Sequence, residues 1–231
     1  MAHGLFSDSS FDVAQADALR ALGHEVIAVD LRGHGRAAKP TSPGAYTFSG
    51  LADDMADAVA DAVGHRPVVA MGGSLGAAAA LAFARRFPRD CLALVLFHPA
   101  FLYGPRAELA ELAAAARRRG LVDVWRRLTR EDEEAVRRVE AQDELAVLAA
   151  VEGLATDALL DGPTDLEAIA QPTLIVVLPG DLLHPVEVAE AYWHHIPTSR
   201  LIVETPGDGL LWDRPDDLAL QVDRFLSEVL H

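Results

Sequence analysis

The sequence predicts an α/β protein: a mostly parallel sheet with helices on both faces and a helical insertion. Short apolar runs recur along the chain, each followed by a turn signal and a stretch with helical spacing, the alternation of a parallel sheet covered by helices. Three of the five runs carry no polar residue beyond their first position, as strands buried on both faces do. Residues 104–170 then break the alternation and hold helical patterns only.

The predicted strands are 25–30, 67–72, 91–97, 173–178 and 200–204. The helical stretches between them begin at "SSFDVAQADALRALG", "FSGLADDMADAVADAVG", "LGAAAALAFARRF", "PVEVAEAYWHHI" and "PDDLALQVDRFLSEVL". Several are closed by Gly or Pro, which end helices. Within the insertion, Leu121, Val124, Trp125 and Leu128 fall at i, i+3, i+4 and i+7, one apolar face of a helix, flanked by charged runs such as "REDEEAVRR". The expected organisation is a single core, 1–103 with 171–231, carrying a helical lid at 104–170. A chain of 231 residues, 51% of them hydrophobic, can bury one sizeable core of this kind.

The formal charge of −15 argues against a nucleic-acid partner, because gripping phosphates needs a basic stripe. No apolar run approaches the roughly 18 residues of a membrane span, and the N-terminus lacks a signal-peptide pattern. Cys91, the lone cysteine, can make neither an internal disulfide nor a metal cage, so a reducing cytoplasm is the expected location. The expected partner is a small-molecule substrate.

The stretch "VVAMGGSLGAAAA" carries Ser74 between Gly72 and Gly76, at the junction of an apolar run and an alanine-rich helix. G-x-S-x-G in that context forms a strained elbow that lifts the serine oxygen to the carboxyl edge of the sheet, with the helix dipole beside it. A structural turn is the competing reading. The motif is not followed by Lys and Ser/Thr, so it is not a phosphate-binding loop, and no metal cluster or dinucleotide fingerprint is present. No cofactor is implied.

With "HGLF" at 3–6, "DLRGHGR" at 30–36, "GGSLGA" at 72–77, "PTLIVVLPGDLLHP" at 172–185 and "PGDGLLWDRP" at 206–215, the chain resembles the α/β-hydrolase family over essentially its whole length. The resemblance implies Ser74 as nucleophile, the backbone N–H groups of Leu75 and of Leu5 or Phe6 as the oxyanion hole, and Asp181 as the acid that orients a histidine. His3, Arg32 and His34 match positions that hold loops.

Two departures stand out. Family members have strands ahead of the "HG" loop, whereas only Met1 and Ala2 precede it here, so the sheet is expected to be abbreviated at its N-terminal side. The oxyanion loop should then be poorly anchored, or the strands ending at Asp30 and Gly72 should pair directly. A bare edge near 25–30 would favour self-association into a homo-oligomer. The second departure is at the base. The family's P-G-x-G-H is replaced by "PGDG", which puts Asp208 or Leu210 where the histidine belongs. Leucine accepts no proton, and a carboxylate with a pKa near ~4 is far from the ~7 that suits a general base.

Other histidines then need weighing. His184 could turn back from the Asp181 loop. His194 and His195 suit a helix end, His24 and His65 sit in polar turns, and His231 is terminal. His98 ends the run 91–97, next to the strand that feeds Ser74, about one strand spacing (~5 Å) away. The expected rewired relay is Ser74, His98 and Asp181 across three adjacent strand ends. The alternative is that His98 bonds a loop carbonyl before Pro99. The expected function is hydrolysis of a small apolar ester or lactone at a low or altered rate. The alternative is a non-hydrolytic member of the fold: a cyclase, isomerase, decarboxylase or ligand-binding pseudoenzyme.

Overall fold

The computed structural model describes every residue except 65, 130, 131, 182, 206–209 and 231. After a short 3-10 turn at Ser9–Asp12, helix α1 (Val13–Ala21) and α2 (Phe48–Val63) precede the first strand. The alternation that follows is β1 (Val68–Gly73), α3 (Leu75–Arg86) and β2 (Cys91–Phe97). An all-helical insertion comes next: α4 (Ala107–Arg119), α5 (Leu121–Leu128), α6 (Glu133–Glu140), α7 (Glu144–Thr156) and α8 (Pro163–Glu167). The chain re-enters the sheet as β3 (Thr173–Val177), then α9 (Val186–His195), β4 (Ser199–Val203) and α10 (Pro215–Val229).

The four strands pair in parallel in the order β1-β2-β3-β4. Side-chain alternation along them builds two cores. Ala70, Leu94, Leu96, Ile175 and Val177 face α2, α3 and α9, while Met71, Val95, Phe97, Leu174 and Val176 face α1 and α10. Helix α3 is buried continuously from Leu75 to Ala84, packed on α2, β1 and β2, and its run of alanines lets backbones approach on every side. All of β3 is buried, whereas β4, at the sheet edge, is not.

Residues 25–30 do not form the predicted strand. A strand needs a partner for its backbone groups, and here the partner is two residues long. The Met1 nitrogen donates to the Ile27 carbonyl (2.8 Å), Val29 N donates to Met1 (2.9 Å), and Ala2 N donates to Met71 (2.8 Å). Ala2 thus bridges Val29 on one side and Gly72 on the other. The flanking segments therefore do not pair directly. Below Ala2 they are separated by a cavity of about 290 Å³, lined by Val26, Ile27, Val68, Val69 and Met71 among others.

The insertion joins the main core through α7, which is buried over most of its circumference. In α5, Leu121 and Val124 are buried while Leu128 stays exposed. Among the described residues no helix is long and apolar enough to cross a membrane.

Gly153 of α7 faces the loop at 43–46 so closely that a Cβ there would lie 2.2 Å from the Pro43 carbonyl oxygen and 2.7 Å from that of Tyr46. Both obstacles are backbone, so Gly153→Ala should lower the melting temperature by roughly 2 to 12 °C, the effect of about 1–3 kcal/mol of overpacking. An unchanged melting curve would show that the insertion is not seated on this loop.

Candidate active site

The site lies at the carboxyl ends of the four strands, and Ser74 occupies the turn between β1 and α3. Its backbone sits at φ 53°, ψ −111°, a conformation that is costly for any residue with a Cβ. The turn is held from both sides: Ser74 N donates to Phe97 O (2.9 Å), and Ala78 N donates to Ser74 O (3.2 Å). The flanking glycines are sterically required. A Cβ at Gly72 would lie 2.4 Å from the Gly76 carbonyl carbon, and one at Gly76 would lie 2.0 Å from the Ala2 carbonyl oxygen.

Leu75 opens α3, so its amide is one of the helix's unpaired N-terminal donors. The loop carrying Leu5 and Phe6 runs alongside: an ideal Cβ on Gly4 would lie 3.8 Å from Ser74 Cβ. Among the described residues, the amides of Leu5, Phe6 and Leu75 make no hydrogen bond. The loop is firmly anchored, contrary to the expectation drawn from the short N-terminus. His3, fully buried, donates from Nδ1 to Gly4 O (2.8 Å) and accepts at Nε2 from Leu31 N (3.0 Å). His34 Nε2 donates to the Leu5 carbonyl. Burial pushes the His3 pKa down to about 4, and the neighbouring His34 pushes in the same direction. Burial likewise lowers that of His34. Burial thus disfavours the charged form of both rings, which hold the loop through hydrogen bonds to its backbone. Arg32 spans Asp54 and the carbonyls of Ala45 and Gly50.

His98 directly follows β2. Because Gly73 pairs with Phe97, Ser74 and His98 are lateral neighbours, and they are the only non-glycine residues with positive φ among those described (φ 47° for His98). The imidazole is buried, and its Nε2 lies 3.0 Å from Glu204 Oε2. That separation suits an ion pair, but the ring is turned so that neither of its nitrogens makes a well-aligned hydrogen bond. Ser74 Oγ is thus not bonded to His98 in this state. Glu204 follows β4 and is itself buried; its Oε1 accepts from Leu211 N. Burial pushes its pKa up, but His98 and the Leu211 amide outweigh that and hold the carboxyl below its ordinary range.

Asp181 does not meet His98 as the expected relay requires. Its Oδ2 lies 2.6 Å from His184 Nδ1, and its Oδ1 accepts from Leu183 N (2.9 Å). His184, three residues along the same loop, reaches the carboxylate first. Burial raises the Asp181 pKa, yet His184 overrides it and the net shift is downward. Two imidazole–carboxylate pairs therefore face each other, with the His98 and His184 rings 5.8 Å apart.

Of the two positions that replace the family histidine, Asp208 lies outside the described residues, as do His65 and His231. Leu210 precedes a 3-10 turn at Leu211–Asp213. That turn delivers Trp212, whose ring lies 3.8 Å from where a Cβ on Gly73 would be and packs edge-on to Phe97 (centroids 5.1 Å). The remaining histidines lie away from the serine. His24 pairs with Asp223 (3.0 Å), His195 with Glu167 (3.3 Å), and His194 stacks on Trp193. Glu204, Trp212 and Asp12 escape a reading of the sequence. The only trace of Glu204 is a polar residue closing an otherwise apolar strand.

The model of the alpha/beta hydrolase fold matches residues 1–154 of the 231. This chain belongs to the α/β-hydrolase fold family. A thermophilic esterase from Thermogutta terrifontis superposes with a TM-score of 0.77 at 26% identity, over 99% of this chain and 88% of that one. The enol-lactonase from Burkholderia xenovorans LB400 superposes at 0.79 with 22% identity, over 98% and 89%. Protein ABHD8 of Homo sapiens and of Bos taurus is 43% identical over 53 residues, a match that spans only 12% of its length.

Trp212 Nε1 donates to Asp12 Oδ1 (3.2 Å), and Asp12 is buried beneath the site. Burial raises its pKa to about 6, against the opposing pull of the Trp212 bond and of Arg138. A raised folded-state pKa means stability that is complete below the unfolded value near 4 and is lost as pH rises through about 6. Replacing the carboxyl by an amide removes that loss. The stability of Asp12→Asn relative to wild type should therefore rise by about 2–3 kcal/mol between pH 4 and pH 7, as read by urea unfolding. A pH-independent difference would show that Asp12 ionises as freely in the fold as out of it.

Proposed function

We propose that this chain is a serine hydrolase acting on a small, apolar ester or lactone, with Ser74 as nucleophile and His98 as its base. The observation that carries the reading is the backbone of Ser74. Its conformation costs about 1–3 kcal/mol, and it is held by glycines on both sides whose replacement would collide with main chain. Strain sustained by such packing at one serine is what presenting an oxygen at the sheet edge requires. Residues 104–170 serve as the lid over a core formed by 1–103 and 171–231. Trp125 packs at a tilt against Phe6 of the oxyanion loop (centroids 4.1 Å), which favours an apolar acyl or alcohol group there.

In this reading the imidazole of His98 takes the Ser74 proton as Oγ bonds to the substrate carbonyl carbon. The tetrahedral oxyanion accepts from the amides of Leu75 and of Leu5 or Phe6. The carbon–oxygen bond to the alcohol then breaks, and the imidazolium returns its proton to the leaving oxygen. Water, deprotonated by the same imidazole, hydrolyses the acyl-serine and releases the acid; a lactone gives the hydroxy acid. Asp181, paired with His184, is an acidic group at the rim of the same site. The esterase and lactonase neighbours support the reaction class, since those folds carry such chemistry.

Among the described residues no imidazole is hydrogen-bonded to Ser74 Oγ, which favours the second reading, a non-hydrolytic member of the fold. A fluorophosphonate probe separates the two. Wild type should be labelled at Ser74, Ser74→Ala should not be, and His98→Ala should slow labelling at least ~100-fold, as loss of a triad member does, with a nearly unchanged melting curve. A folded wild type that resists labelling would favour the second reading. Labelling that survives His98→Ala would remove His98 as the base.

A further inference from the structure

We propose that Glu204, at the end of the last strand, is the carboxylate that positions His98, so that base and acid stand on β2 and β4 and Asp181 serves a separate histidine. This rests on His98 being the base of Ser74. The geometry is a row of strand ends. Ser74 N bonds Phe97 O, His98 N donates to Val176 O (2.7 Å), and Glu204 N donates to Val177 O (2.8 Å), so residues 74, 98 and 204 end β1, β2 and β4 at one level. Glu204 reaches across β3 to place Oε2 at 3.0 Å from His98 Nε2.

Neither ring nitrogen is aligned for a hydrogen bond in this state, but an ionised carboxylate accepts only, so when the ring turns to meet Glu204 the hydrogen sits on Nε2 and Nδ1 is left as the ring's acceptor. Nδ1 is buried and has no partner among the described residues, which is the state a base needs before its proton donor is aligned. The Glu204 carboxylate is itself fixed, because Oε1 holds the Leu211 amide. When Nδ1 takes the serine proton, the imidazolium is stabilised by the charge already opposite Nε2; no proton passes to Glu204.

Among the described residues, the other ionisable groups facing His98 are Asp181 and His184 from the loop after β3 and Asp213 from the turn after β4. Burial raises the pKa of Asp213. Asp181 is occupied by His184 at 2.6 Å, which leaves Glu204 as the carboxylate in contact with His98.

The test is Glu204→Gln, which keeps the acceptor for Leu211 N while removing the charge. Two readouts serve: the pH profile of fluorophosphonate labelling, and ¹⁵N chemical shifts of the His98 ring in the uninhibited protein. In wild type the neutral ring should be the Nε2–H tautomer. In Glu204→Gln that tautomer preference should weaken, labelling should slow by about 10²- to 10⁴-fold, and the apparent pKa of the profile should fall because the imidazolium has lost its partner. A wild-type ring in the Nδ1–H tautomer, or a variant with an unshifted profile while His98→Ala still abolishes labelling, would overturn the role of Glu204 and leave His98 as base. Loss of labelling in His184→Ala with none in His98→Ala would instead overturn the reading on which it rests.

Discussion

A Cβ on residue 76 would come within 2.0 Å of the Ala2 carbonyl oxygen, so the start of α3 sits directly on the chain that enters the loop at residues 3–6. Much of the site follows from that contact. Ala2 is fixed by bridges to Val29 and Gly72, and the following residues, His3 to Phe6, must then pass beside the serine turn. Ser74 cannot relax into a helical or extended conformation, because doing so would move α3 against Ala2. Two buried imidazoles, His3 and His34, take up the polar groups that such a tight crossing would otherwise orphan. Burial disfavours the charged form of both rings, which brace the loop through hydrogen bonds.

Charge around the serine is arranged by a second constraint, the level at which the strands end. Residues that close neighbouring parallel strands stand about one strand spacing apart, and this brings a histidine from β2 and a carboxylate from β4 onto one row. The segment that carries the family's histidine instead contributes Trp212, packed on Phe97 and tied to Asp12. That ring closes against Gly73 and Phe97 beside the serine turn. Asp12 bears the cost, its carboxyl held high by burial.

Most of the architecture was legible in the sequence because it is written in periodicity. Four of the five apolar runs became β1 to β4 to within a residue or so, and the loss of alternation after 104 marked the helical insertion. The fifth run, 25–30, misled because apolar pattern reports burial, whereas a strand also needs a partner with free backbone groups; among the described residues its backbone meets Met1 and Ala2. The serine turn was legible because its glycines are dictated by backbone clash. The pairing of carboxylates with histidines was not. Asp181 sits in the expected loop, but which imidazole it meets depends on His184 folding back over three residues and on Glu204 reaching across β3. Neither leaves a pattern along the chain.

The relay of Ser74, His98 and Glu204 is tested most directly by where the imidazoles lie when Ser74 carries a phosphonyl group, which a crystal structure of the fluorophosphonate-treated protein would show. The phosphorus should be bonded to Ser74 Oγ, with its oxygen accepting from the amides of Leu75 and of Leu5 or Phe6. His98 Nδ1 should be the nearest imidazole nitrogen to Oγ, and Nε2 should still face Glu204. An unmodified serine in a fully treated crystal, or an adduct whose Oγ is approached by His184 with His98 turned away, would contradict it.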